Sequence, residues 1–125
     1  MPLKLHGMTK AAKLKLSINQ GATYPKRLRW RAPSGAPIDL TGCKARMQLR
    51  SEVDSPLVLL ELTTENGRIL LGGTEGTIDL LISAADTAAI AWESAVWDLE
   101  IEFPDGTVHR LAQGSCTVSR EVTRG

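Results

Sequence analysis

Apolar and polar residues alternate along most of this chain with a period of two, the pattern of strands that keep one face in a core and one in water. Leu14, Leu16 and Ile18 interleave with Lys13, Lys15 and Ser17. Tyr24, Leu28 and Trp30 fall opposite Arg27, Arg29 and Arg31, and Pro25 marks an edge strand or a bulge near the start. Cys43, Ala45, Met47 and Leu49 alternate with Lys44, Arg46, Gln48 and Arg50. A further strand is predicted over 57–63, ended by the tight-turn pair Asn66-Gly67, and a short one over 68–71, closed by Gly72-Gly73. Ile78, Leu80 and Ile82 make another inward-facing set. Trp97, Leu99, Ile101 and Phe103 then alternate with Asp98, Glu100 and Glu102. After the hairpin turn Pro104-Asp105-Gly106-Thr107 a last strand is predicted over 108–119, with a bulge or break at Gly114.

The segment 32–37 has the proline, serine and glycine content of a turn. Ser83-Ala84-Ala85-Asp86 is the one helix signal: Ser83 caps the first turn, Asp86 reaches back to it, and the alanine-rich run ends near Trp92 after about two turns. A helix that short needs tertiary support, and it is expected to bridge two strands at one end of the fold. About eight short strands, one short helix and no internal repeat predict a β-sandwich. Parity places Trp30, Met47, Leu49, Ile78, Leu80, Trp97, Leu99 and Ile101 in its core.

The 125 residues suit a single domain, and at 42% hydrophobic they supply a core. With Tyr24, Trp30, Trp92, Trp97 and Phe103 as the only aromatics, that core is mostly aliphatic. Residues 1–11 show no sustained period and are expected to form a flexible basic arm, leaving 12–125 as the sandwich. No apolar run approaches the ~20 residues of a membrane span, and the lysine-dotted start lacks the form of a secretory signal, so synthesis in the cytoplasm and no membrane partner are expected.

Charge changes the picture more than composition does. Residues 1–50 hold eleven Lys/Arg against the single acid Asp39, a charge of +10, whereas residues 51–125 hold four Arg against thirteen acids, a charge of −9. These halves must meet, either within the folded chain or between neighbouring subunits. Arg27, Arg29 and Arg31 on one strand and Asp98, Glu100 and Glu102 on another are the candidate partner-binding faces, with Lys4 and Lys10 of the arm ordering against an acidic neighbour.

Catalytic and cofactor chemistry finds no support. No G-x-S-x-G elbow exists, His6 and His109 are isolated, and His109 reads as an ordinary surface histidine. Cys43 and Cys116 stand at apolar positions with no metal-ligand spacing and are expected to be buried, reduced thiols. The glycines at 72, 73 and 76 lead into a strand rather than a helix and lack the lysine of a phosphate loop. No enzyme, cofactor or metal is therefore expected. Nucleic acid is not expected either, because Trp30 faces away from the arginines beside it and the acidic half repels phosphate.

Several stretches carry a resemblance when taken in order. They are Gln20-Gly21-Ala22-Thr23-Tyr24, Pro37-Ile38-Asp39-Leu40-Thr41-Gly42, Ala45-Arg46-Met47-Gln48-Leu49-Arg50 and Leu60-Glu61-Leu62-Thr63-Thr64. Gly76-Thr77-Ile78, Ser83-Ala84-Ala85-Asp86-Thr87, Trp97-Asp98-Leu99-Glu100-Ile101 and Pro104-Asp105-Gly106-Thr107-Val108 follow. Over roughly 14–123 the chain resembles small virion proteins of tailed bacteriophages similar to the N-terminal domain of upper baseplate proteins. The resemblance implies an all-β, immunoglobulin-like antiparallel sandwich in the virion that joins tail-tip, baseplate or fibre components, and copies of itself, by protein contacts. In long relatives the domain heads a larger protein. A chain ending at Gly125 shifts the expectation from host-receptor binding towards an adaptor, ring-forming or decorating role. Capsid decoration is the second structural reading. A carbohydrate-binding module for host glycans is the reading of another class, with Trp92 its one candidate platform.

Overall fold

In the computed structural model, which describes residues 11–124, the alternating segments become eight strands. They are β1 (Ala12–Asn19), β2 (Tyr24–Arg29), β3 (Lys44–Arg50), β4 (Leu60–Thr63), β5 (Ile69–Leu71), β6 (Thr77–Ile82), β7 (Ser94–Glu102) and β8 (Val108–Ser119). One helix, α1 (Ala84–Ala88), carries the chain from β6 to β7. The strands form a five-stranded sheet in the order β1-β8-β7-β3-β4 and a three-stranded sheet in the order β2-β6-β5. The helix therefore crosses from one sheet to the other, as its position between two apolar strand patterns predicts. Among the described residues no helix is long and apolar enough to cross a membrane.

Burial follows parity. Trp30, Met47, Leu49, Ile78, Leu80, Trp97, Leu99 and Ile101 are each at most 5% exposed. A slip of one residue in any of these strands would have turned its whole set outward, so the register is the one that the alternation demands. Pro25 lies on β2, an edge strand, where its missing N–H costs no ladder bond.

One pairing departs from an all-antiparallel sandwich. β1 runs parallel to β8, from Ala12 beside Ala112 to Asn19 beside Ser119, while every other neighbouring pair is antiparallel. Antiparallel direction is imposed by a tight hairpin, and no hairpin joins these two strands. The whole domain lies between them in sequence, so β1 is free to enter the sheet edge in either sense.

Three local expectations are corrected. The strand expected over 57–63 begins only at Leu60, and Leu57 is 65% exposed. Pro56 offers no N–H, the Leu57 N–H turns to the Ser55 hydroxyl, and Arg50 donates to the Ser55 carbonyl oxygen at 2.8 Å, so 51–59 is a tethered loop. The helix is five residues long rather than two turns. Its Ser83 cap accepts the Asp86 N–H at 3.1 Å as expected, but the Asp86 carboxylate is taken by Arg68 at 2.8 Å, which holds it below the usual carboxylate range. The bulge in β8 is at Leu111 rather than Gly114. Leu99 pairs with Ala112 and Glu100 with Arg110, leaving Leu111 as the extra residue, and Leu111 and Ala112 are both buried.

Gly114 keeps its register and serves a different purpose. A Cβ there would fall on the carbonyl of Leu14 in β1, so the parallel strand approaches as closely as it does only over a glycine.

Two of the ordered motifs, Gln20–Tyr24 and Ser83–Thr87, lock one end of the fold together. Thr87 is fully buried. Its hydroxyl accepts the Gly21 N–H at 3.0 Å and lies 2.9 Å from the Ala22 carbonyl oxygen, to which it donates. Gln20 donates to the Ile90 carbonyl oxygen at 2.9 Å and accepts the Glu121 N–H at 2.8 Å. The β1–β2 turn, the helix and the C-terminal segment are thereby tied at one end of the sandwich. At the other end the Asp105 carboxylate accepts the Thr107 N–H within the β7–β8 hairpin, and Gly106 takes the positive φ that the turn needs. His109, read as a surface residue, is instead half-buried edge-on to Phe103 and Trp30, with ring centroids 5.4 and 6.0 Å away.

Both cysteines are free. Cys116 is fully buried, and burial pushes its thiol up to about 11; Cys43, just ahead of β3, is only half-buried, with a smaller upward push from the same cause. Since the thiolate is the nucleophile, iodoacetamide at pH 8 is expected to modify Cys43 in the folded protein well before Cys116, and both once it is denatured. Equal rates in the native state, read by intact mass, would contradict the burial of Cys116.

Candidate interaction surface

The sequence-predicted charged faces lie on different sheets. Arg27, Arg29 and Arg31 belong to β2 and its continuation, on the outward side of the three-stranded sheet. Asp98, Glu100 and Glu102 line the outward side of the five-stranded sheet, and the two sets do not meet. Arg27 forms a two-bond fork with Asp79 of β6 at 2.7 and 2.9 Å, which raises the Arg27 pKa further. Arg31 donates to the Gly35 carbonyl oxygen of its own turn at 3.0 Å. Glu100 is paired with Arg46 of β3 at 3.0 Å, Asp98 with Arg110 of β8 at 3.6 Å, and Glu102 sits in register with Lys44. Lys4 and Lys10 fall outside the described residues. The charge asymmetry of the halves is thus met in part inside the chain, because Arg27–Asp79 and Arg46–Glu100 each join a first-half cation to a second-half acid.

On the outer face of the five-stranded sheet, topology sorts the side chains into rows that cross the strands. Arg110, Glu100, Arg46 and Thr63 share one row. Lys13, Gln113, Asp98, Gln48 and Glu61 share the next, where Gln48 donates to Glu61 at 2.8 Å. The third row reads Lys15, Ser115, Val96 and Arg50, with a cation at either end and no carboxylate. The Leu111 bulge makes this arrangement, because it keeps both Arg110 and Gln113 pointing outward across one shifted register.

These rows floor an open concavity of about 920 Å³. Its lining includes five cations, Lys13, Lys15, Arg46, Arg50 and Arg110, against the two carboxylates Asp98 and Glu100. Both carboxylates are already paired, so the surplus is positive. Val53, in the tethered 51–59 loop, also lines the concavity and is 83% exposed. Arg50 holds that loop in place while its guanidinium is bonded only to the neutral Gln48 amide oxygen and the Ser55 carbonyl.

The outer face of the three-stranded sheet has a different character. Beside the Arg27–Asp79 fork, Leu81 stands 43% exposed opposite Pro25, and Leu70 is 59% exposed on β5. The expected glycan platform Trp92 is half-buried and packed against the core. Among the described residues no group of three or more His, Cys, Asp or Glu is placed to hold a metal ion. Parity reasoning had Lys13, Lys15 and Arg50 pointing outward, but nothing in the sequence says that β1 and β3 share a sheet, so their common row was not visible. Asp79, flanked by buried Ile78 and Leu80, was legible as an outward acid and was missed as the partner of Arg27.

The described residues form a two-sheet all-β domain with an open concavity on the outer face of the larger sheet and exposed apolar side chains on that of the smaller. No family model matches the chain, and no curated protein does. In fold it is similar to the solved N-terminal domain of phage TP901-1 ORF48, with a TM-score of 0.55 and 12% sequence identity over 94% of this chain and 96% of that one.

Proposed function

We propose that this chain is a structural protein of a tailed-phage particle that joins components of the tail tip or baseplate, and copies of itself, through protein contacts. The observation that carries the reading is the likeness in fold to a phage domain, nearly coextensive with both chains. The resemblance read in the order of the turn and strand motifs points the same way. An adaptor needs two surfaces of different chemistry, and the sandwich offers them on opposite sides: a charged concavity on one sheet, and the exposed Leu70, Leu81 and Pro25 on the other. This function requires no catalytic group or cofactor.

The test is the place of the chain in the particle. Washed, gradient-purified particles of the encoding phage should contain it in fixed stoichiometry, and a label fused after Gly125 should mark the tail end in electron micrographs. Label over the capsid surface would replace the adaptor with a decoration protein. Its absence from washed particles would remove the structural role.

A further inference from the structure

We propose that the Lys15–Ser115–Val96–Arg50 row is a docking lane for an extended acidic segment of a partner protein, laid across the strands of the five-stranded sheet. The inference rests on the virion reading above and names the chemistry of one partner. Four observations carry it. The row is the one on this face that has cations at both ends and no carboxylate, because Lys15 pairs with Ser115, Ser115 with Val96 and Val96 with Arg50. Its middle is a serine and a half-buried valine, shorter side chains than the Lys13, Asp98 and Gln48 of the neighbouring row. The two carboxylates that line the concavity are already paired with Arg46 and Arg110, so an incoming carboxylate meets a surplus of positive charge. Val53, exposed in the lining on a loop that Arg50 ties down through the Ser55 carbonyl, supplies an apolar contact at little ordering cost.

Geometry sets the spacing of the ligand. Lys15 and Arg50 are separated by three interstrand steps, about 14 Å, and an extended chain advances about 3.3 Å per residue. Two carboxylates four residues apart therefore span the lane, with an apolar residue midway between Ser115 and Val96. A nucleic acid fits less well, because no exposed aromatic lines the concavity for base stacking.

The probe is the blocked peptide Glu-Ser-Val-Ser-Glu, titrated into nitrogen-15-labelled full chain and followed by NMR, which detects weak binding. Saturable shifts are expected at the amides of Val96, Gly114 and Ser115 and at the Trp97 indole N–H, which donates to the Ser115 carbonyl oxygen at 2.9 Å. They should vanish with Gln-Ser-Val-Ser-Gln and weaken as salt rises. Lys15→Glu, on an exposed edge position, and Arg50→Gln should each raise the apparent Kd by about tenfold, the first with the remaining spectrum unchanged and the second with changes otherwise confined to the 51–59 loop that Arg50 tethers. Equal shifts with the neutral peptide, undiminished binding in both variants, or tighter binding of oligothymidylate to the same residues would overturn the lane. In particles the two readings separate. Wild-type chain present and Lys15→Glu incorporated equally well removes the lane and leaves the structural role; wild-type chain absent removes the role, whatever the peptide does.

Discussion

Replacing Trp97 with alanine should destabilise the domain by about 3–5 kcal/mol, the range for deleting an enclosed tryptophan. The indole is 5% exposed in the centre of the larger sheet, and its N–H is satisfied by the Ser115 carbonyl oxygen at 2.9 Å. Truncation leaves a cavity between the sheets and an unpaired acceptor on β8 together. A domain of this size has only about 5–15 kcal/mol in total, so the variant should lose about a fifth of its stability or more. Urea unfolding followed by circular dichroism reads this directly. A loss below about 1 kcal/mol would mean that the ring is not enclosed and that the β7 register is shifted.

Gly114→Ala should cost about 3 kcal/mol, high for the addition of one methyl group but within the range of overpacking. The new Cβ would fall on the Leu14 carbonyl, a backbone atom that cannot rotate away. Relief requires β1 to withdraw from β8. The effect should therefore be local: hydrogen-exchange protection lost along β1, at Leu14, Leu16 and Ile18, while Met47 and Leu99 in the sheet centre keep theirs. Uniform loss across both sheets, or a neutral substitution, would refute the close parallel approach. The expectation that a glycine in a strand marks a bulge gave the wrong reason at this position. A glycine also serves where another backbone comes too near for a side chain, and the sequence does not distinguish the two.

The candidate surface was legible only in part. That Lys13, Lys15, Arg46, Gln48, Arg50, Asp98 and Glu100 all face water follows from alternation alone. Which of them stand beside each other does not. The reading that opposed Arg27, Arg29 and Arg31 to Asp98, Glu100 and Glu102 treated two outward strand faces as one electrostatic problem, whereas they occupy different sheets and each finds nearer partners. Attraction between charges falls off over ~10 Å at ordinary ionic strength, so adjacency in the sheet, and not the charge of a chain half, decides who pairs.

By itself, the sequence determined what is periodic and local. Alternation at period two set which side of each strand is buried, because a side chain can point only to one face or the other and the apolar ones gain by leaving water. Asn66-Gly67, Asp105-Gly106 and the Ser83 cap set the turns and the helix start, because those residue types satisfy backbone groups within a few positions of themselves. The tertiary structure alone decided what depends on neighbours distant in the chain. It set the parallel entry of β1, which no connection dictates, and the shift of the bulge to Leu111. It also set the meeting of Thr87 with Gly21 and Ala22, and the row from Lys15 to Arg50. All but the bulge, which belongs to the β7–β8 hairpin, are contacts between segments tens of residues apart, selected by how the strands close over one core, and no local propensity encodes them.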